Sequence, residues 1–256
     1  MDLLLDATHK AEHRHFWFRG FRRFVRPLLA RAVRDVAAPI VLDCGCGTGA
    51  NLTLLSAFGR AYGCDLAWTG LSHAHGAGWR NVVRASVAAL PFPDAAFDLV
   101  TSFDVLYCLP PEDERAAASE MYRALRPGGR ALVNVPAFEI LRGDHSVLSD
   151  EVRRYTRQSL GAVLTRAGFT IERMTYTNMS LGPILLPVRA YQRLRGLAPE
   201  EKANAEIRVP FRPANALLSA ILAIEAMIIR CVNLPFGSSV LALARKPGAR
   251  RRGGRR

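Results

Sequence analysis

Residues 39–51 read P-I-V-L-D-C-G-C-G-T-G-A-N. An apolar run, Ile40-Val41-Leu42, ends in Asp43. Gly45, Gly47 and Gly49 follow at alternate positions, and Ala50-Asn51-Leu52-Thr53-Leu54-Leu55 can open a helix. The pattern predicts a buried strand, a tight turn and a helix N-terminus. Glycines allow positive φ and close approach of a ligand to the backbone. A helix N-terminus presents N–H groups without intrahelical partners. A second apolar stretch, Ala61-Tyr62-Gly63-Cys64, ends in Asp65. An acidic residue roughly 20 positions after the first strand suits hydrogen bonds to ribose hydroxyls. The stretch therefore predicts a site for an adenosine-containing cofactor. Gly45-x-Gly47-x-x-Ala50 also fits the dinucleotide fingerprint, so the turn alone leaves the cofactor open.

Working outward, strands are expected at 40–44, 61–65, 81–85, 97–102, 130–135 and 169–176, with a last one at 238–245. Helices are expected at about 50–58, from Pro111 to the R-P-G-G stop at 126–129, and at 157–167 behind a Thr156 cap. Residues 68–78 read as a weak helix or loop. Alternating strands and helices predict a parallel sheet. Residues 1–38 place Phe16, Trp17, Phe21, Phe24, Leu28 and Leu29 among arginines at helical spacing, with Gly20 and Pro27 as breaks. They form either a lid whose aromatics, Trp17 included, flank the acceptor, or an amphipathic helix packed on the sheet. Residues 177–237 interrupt the alternation with two apolar helical segments. These are too short for a confident membrane span. They suit either an interfacial helix with snorkelling arginines or a cover over the core or a dimer interface.

Half of the 256 residues are hydrophobic, enough for a large core in one domain with appendages. Net charge is +13, and seven of those charges lie between Arg245 and Arg256; without them the body carries +6. The Gly- and Arg-rich tail, 246–256, reads as disordered and suited to anionic partners, lipid head groups or nucleic acid. Five cysteines in a nucleotide-type fold read as reduced thiols rather than a disulfide framework, which with the absence of a signal peptide predicts a cytoplasmic protein. Cys44-x-Cys46 has no second pair nearby, and His9, His13 and His15 lack acidic or cysteine company, so no metal site is expected.

V-L-D-C-G-C-G-T-G at 41–49, Asp65, L-P-F-P-D-A-A-F-D-L-V at 90–100 and L-R-P-G-G-R-A-L-V at 125–133 together resemble the class I S-adenosylmethionine-dependent methyltransferases. A dehydrogenase is not expected to carry the last two. The resemblance implies an α/β, Rossmann-like, doubly wound seven-stranded sheet. It would be mostly parallel, with an antiparallel last strand and a helical insertion before it. It implies S-adenosyl-L-methionine as cofactor. The contacts would come from Asp43, Gly45, Cys46, Gly47 and Gly49, from Asp65 and Leu66, from Ser86 and Val87, and from Phe103. The position that often carries an acidic residue against adenine reads Ala85-Ser86-Val87, so Ser86 or its backbone must serve. The domains follow: an N-terminal lid at 1–38, a core at 39–176 and 238–245, the insertion at 177–237 and the tail. E-H-R-H-F-W-F-R-G-F-R-R at 12–23 and H-S-V-L-S-D-E-V-R-R-Y-T at 145–156 are similar to a bacterial subgroup found with polysaccharide and lipid-glycan biosynthesis.

Methyl transfer from a sulfonium needs alignment first and, for a hydroxyl acceptor, a base. The loop after strand five supplies candidates: His145 as base or orienting group, Tyr155 beside it, and Arg153 and Arg154 to hold a phosphate or carboxylate of the acceptor. S-F-D-V-L-Y-C-L-P-P-E-D at 102–113 lacks the acidic or Asn residue before Pro-Pro-aromatic that amino-group methylation of bases uses, and no Pro-Cys pair exists. A small-molecule or lipid-linked acceptor at a membrane surface, on the cytoplasmic face, is therefore expected over nucleic acid. The rivals are an RNA methyltransferase using the tail and a non-catalytic cofactor binder. Oligomeric state is not legible.

Overall fold

The computed structural model describes residues 2–197 and 207–248. The alternating pattern forms one seven-stranded sheet. Its strands are β1 (Ile40–Cys44), β2 (Arg60–Asp65), β3 (Val82–Arg84), β4 (Phe97–Phe103), β5 (Leu125–Pro136), β6 (Thr170–Thr177) and β7 (Ser239–Arg245). Their order is β3-β2-β1-β4-β5-β7-β6. The first five are parallel, and β7 runs antiparallel to both β5 and β6. The chain moves outward from β1 to β3 and returns on the other side with β4. The switch point thus lies between β1 and β4, and open α/β sheets bind ligands in the crevice at the carboxyl ends there.

The flanking helices are α1 (Asp2–Ala11), α2 (Phe16–Val33), α3 (Ala50–Leu55), α4 (Trp68–Gly76), α5 (Pro111–Ala124), α6 (His145–Leu148), α7 (Arg157–Arg166), α8 (Gly182–Leu194) and α9 (Arg212–Cys231). Residues 68–76 are a helix, not a loop. α2 runs straight through Gly20 and Pro27. Burial of Phe24, Val25, Leu28 and Leu29 on one face outweighs the lost hydrogen bond at proline, and Gly20 gives Leu222 of α9 room: a Cβ there would lie 2.4 Å from Leu222 Cδ1. α5 ends at Ala124, before R-P-G-G. Leu125 already pairs with Phe97, and the stretch bulges out before Arg130 pairs with Leu99. The Thr156 cap stands as read, completed by Ser159 as a capping box.

Two motifs have structural explanations. The Arg123 guanidinium clamps the 90–94 loop through Leu90 O, Phe92 O and Asp94. Asp98 accepts the Ile40 N–H at 2.9 Å and pairs with Arg126 at 2.6 Å, fixing the start of β1. Lys246 is not loose tail: its Nζ donates to Tyr122 O and Leu125 O, both at 2.7 Å, at the end of α5. The rest of the tail, 249–256, lies outside the described residues, so its expected disorder does too.

The insertion is fastened by one buried acid. Glu225 on α9 accepts the N–H groups of Met179 and Ser180 at 3.0 and 2.8 Å, and the Ser180 hydroxyl, at the 3-10 turn Met179–Leu181 that launches α8. Replacing it strands buried donors, which costs about 1–3 kcal/mol. Glu225→Ala is expected to lower the unfolding free energy measured by urea titration by that amount, and Glu225→Gln by less.

Candidate active site

β1 delivers the chain into the glycine turn at the switch point. Gly45 and Gly47 have φ of +82° and +49°, a region where L-residues are strained. Space is restricted as well: a Cβ on Gly45 would lie 2.3 Å from Val105 Cγ2. The N–H groups of Gly45 and Cys46 donate to Cys64 O at 2.8 and 3.0 Å. Asp65 holds the turn's apex, Oδ2 accepting the Gly47 N–H and Oδ1 the Ala67 N–H, both at 2.8 Å. Asp43 lies beneath the turn. Its Oδ1 accepts from the Thr101 hydroxyl at 2.6 Å, and its Oδ2 has no hydrogen-bond partner among the described residues. Burial, opposed by the Thr101 bond and reinforced by Asp65, pushes its carboxyl up to about 7.

A cavity of about 1240 Å³ opens above the turn. Pockets for small molecules run roughly 300–1,000 Å³, so this one has room for two ligands side by side. Gly45, Cys46, Gly47, Asp65, Leu66, Ser86, Val87 and Phe103 all line it, as does Trp17. Ser86 Oγ accepts the Ala88 N–H at 3.2 Å. Asp43 and Gly49 stand behind the wall. A Cβ on Gly49 would meet Ala74 and Trp79 at 3.0 Å, so its place is set by packing against α4 and the chain after it.

The N-terminal helices close one side. Glu12, buried at the end of α1, accepts the Thr48 hydroxyl of the turn at 2.7 Å, and Asp6 meets His73 of α4 at 2.8 Å. From α2, Phe21 packs edge-on against Phe103, ring centroids 5.0 Å apart. The sequence gives no local signal for Glu12, whose partner is 36 residues away.

At the other end β4 stops at Phe103 and Asp104 takes a left-handed conformation, φ 56°. Its N–H donates to Asn134 O and its Oδ1 accepts from Asn134 Nδ2, each at 2.9 Å. Its side chain is exposed and lines the cavity. The surrounding protein pushes the carboxyl up to about 7, against the Asn134 hydrogen bond and the Arg154 charge. His145, Glu151 and Arg154 line the same chamber, with Arg154 paired bidentately to Glu151 at 2.8 and 2.9 Å. α8 adds Ile184, Leu185 and Val188, and α9 adds Leu218.

Tyr155 and Arg153 are corrections. The Tyr155 hydroxyl donates to Leu106 O at 3.2 Å and pairs with Glu114 of α5, and Arg153 meets the same Glu114 at 3.0 Å. Neither lines the cavity. Successive side chains of this segment point to opposite sides, so Arg154 faces the chamber while its two neighbours anchor the loop to α5. Asp104, which the sequence reading did not single out, also lines the cavity, at the carboxyl end of the strand beside the switch point.

Comparison with known proteins agrees with this geometry. Residues 42–133 match the methyltransferase domain family. A Mycolicibacterium smegmatis protein named for S-adenosylmethionine-dependent methyl transfer is 32% identical over 163 residues, which is 62% of this chain and 61% of the relative. A ubiquinone/menaquinone biosynthesis C-methyltransferase of Cronobacter sakazakii is 33% identical over 131 residues, 41% of this chain and 50% of the relative. Residues 42–133 carry a methyltransferase domain of the class I fold. Its fold extends beyond the matched segment: a methyltransferase of Haloferax volcanii, solved with its Trm112 activator, superposes with a TM-score of 0.59 at 19% identity, covering 95% of each chain. Matched stretches span less than two thirds of both curated relatives.

The cofactor of this methyltransferase domain is S-adenosylmethionine, and the residues fit it. The unpartnered Asp43 Oδ2 beneath the turn and the Asp65 carboxylate on the wall suit its cationic and ribose portions. Among the described residues, no group of three or more His, Cys, Asp or Glu is placed to hold a metal ion. Asp65→Ala removes the carboxylate expected to accept from the ribose hydroxyls and frees the turn's apex. Calorimetry with S-adenosylmethionine is expected to show affinity lower by about 10- to 100-fold, given ~1.5–3 kcal/mol for a hydrogen bond to a charged group.

Proposed function

We propose that the protein is an S-adenosylmethionine-dependent methyltransferase acting on an acceptor with a substantial apolar body, a small molecule or a lipid-linked one. The observation that carries this reading is the single cavity that runs from the glycine turn past Asp104 into a chamber walled by α8 and α9. The bound cofactor supplies a methyl group on a good leaving group, so the protein's work is alignment, desolvation and, for an acidic acceptor, proton removal.

Asp104 is the proposed base. Asn134 fixes one oxygen, leaving the other for the acceptor's proton. As the acceptor atom bonds to the methyl carbon, the carbon–sulfur bond breaks with its electron pair kept on sulfur, and the proton passes to Asp104. The left-handed backbone and the Asn134 contacts hold the carboxyl in place without rearrangement. His145 and Arg154 face the same chamber and are proposed to orient the acceptor's polar end. Trp17 is proposed to close the chamber from the N-terminal side.

The reading is tested with methyl-labelled cofactor and cell extract, the organic-phase, small-molecule and RNA fractions being kept apart. Label in the organic or small-molecule fraction is expected. Label confined to RNA, or none from protein that binds the cofactor, would refute it. With that acceptor, the rate should rise as pH passes about 7 and Asp104 ionises. Asp104→Asn should lose about 10²- to 10⁴-fold in kcat with cofactor affinity retained.

A further inference from the structure

α9 is built inside out. Two polar residues of its middle, Ser219 and Glu225, are buried with Leu222, Ala226 and Ile229, the side that packs on α2. Between Arg212 and Arg230 its exposed residues are all apolar. Leu217, Ile224 and Met227 are 63%, 56% and 57% exposed, with Ala220, Ile228 and Cys231 on the same stripe. From Leu217 to Cys231 the stripe is about 21 Å long. α8 adds exposed Leu186, Tyr191 and Leu194, the last 88% exposed, and Phe211 lies just ahead of α9. Exposed apolar surface of this extent marks an interaction site.

The surrounding charge says which kind. In 177–197 and 207–237 the described acidic residues reduce to Glu225, and it is buried. The exposed charges are arginines: Arg193, Arg195, Arg208, Arg212 and Arg230, with Arg195 paired to Asp144 and the last two at either end of α9. A second copy meeting this face would bring like charges together. Anionic lipid would not. A helix crossing the bilayer would have to surrender Glu225 to hydrocarbon and leave α2, at high cost.

We propose that α8 and α9 dock the protein on an anionic bilayer, α9 lying in the plane of the head groups with its apolar stripe inserted and its arginines at phosphate level. The same two helices wall the acceptor chamber, so docking sets that chamber at the membrane. The proposal stands apart from the acceptor reading, since a water-soluble acceptor would leave it intact.

The test is flotation of the full chain with vesicles of phosphatidylglycerol and phosphatidylcholine, and of phosphatidylcholine alone. Flotation with the anionic vesicles and little with the neutral ones is expected. Ile224→Asp/Met227→Asp should reduce vesicle-bound protein by about tenfold or more, with unchanged circular dichroism and unchanged calorimetric binding of S-adenosylmethionine. Arg166→Glu, a comparable charge change on α7, should float as before. Failure to float with anionic vesicles would overturn the proposal. So would undiminished flotation of the double variant, which would assign binding to charge elsewhere. A concentration-dependent dimer without lipid, abolished by the double variant, would overturn it in favour of self-association.

Discussion

The site depends on one carboxylate gripping two backbone N–H groups. Asp65 ends β2 and reaches across to the apex of the turn that leaves β1, holding Gly47 with one oxygen and Ala67 with the other. Loop backbone with positive φ is costly to hold still. Two hydrogen bonds to a charged acceptor, together with those from Gly45 and Cys46 to Cys64, supply the order. β1 and β2 are adjacent and in register, Cys44 beside Cys64, so the carboxylate cannot drift from the turn. The position that reads from sequence as a ribose ligand is therefore also the fastening of the loop it faces.

The core was legible because its signals are local. A strand, a glycine turn and an acid about 20 residues on lie within one βαβ unit, and periodicity fixes which faces are buried. The antiparallel course of β7 was legible only through resemblance. What misled was local evidence of the wrong kind. R-P-G-G reads as a helix stop, yet it is a bulge inside β5, because the pairing of Leu125 with Phe97 begins before it. Gly20 and Pro27 read as breaks, yet α2 passes through them, because tertiary packing against Leu222 and the core decides.

In the site, the errors and omissions share a cause. Arg153, Arg154 and Tyr155 are consecutive, and composition cannot say which faces the chamber; the direction of each side chain does. Asp104 and Asn134 are 30 residues apart and meet only because β4 and β5 are neighbours. Glu12 reaches Thr48 only because α1 folds over the turn. Each depends on contacts between elements distant in sequence, whereas the glycine turn announces itself.

The antiparallel run of β7 separates the two ends of the molecule. β7 starts beside Pro136, where the parallel strands end, and finishes beside Arg130, where they begin. Lys246 then pins the chain to the carbonyls at the end of α5. Residues 245–248 are thus held at the pole opposite the cavity. A binder that recognises this segment would grip the domain away from the chemistry, without standing in the acceptor's path.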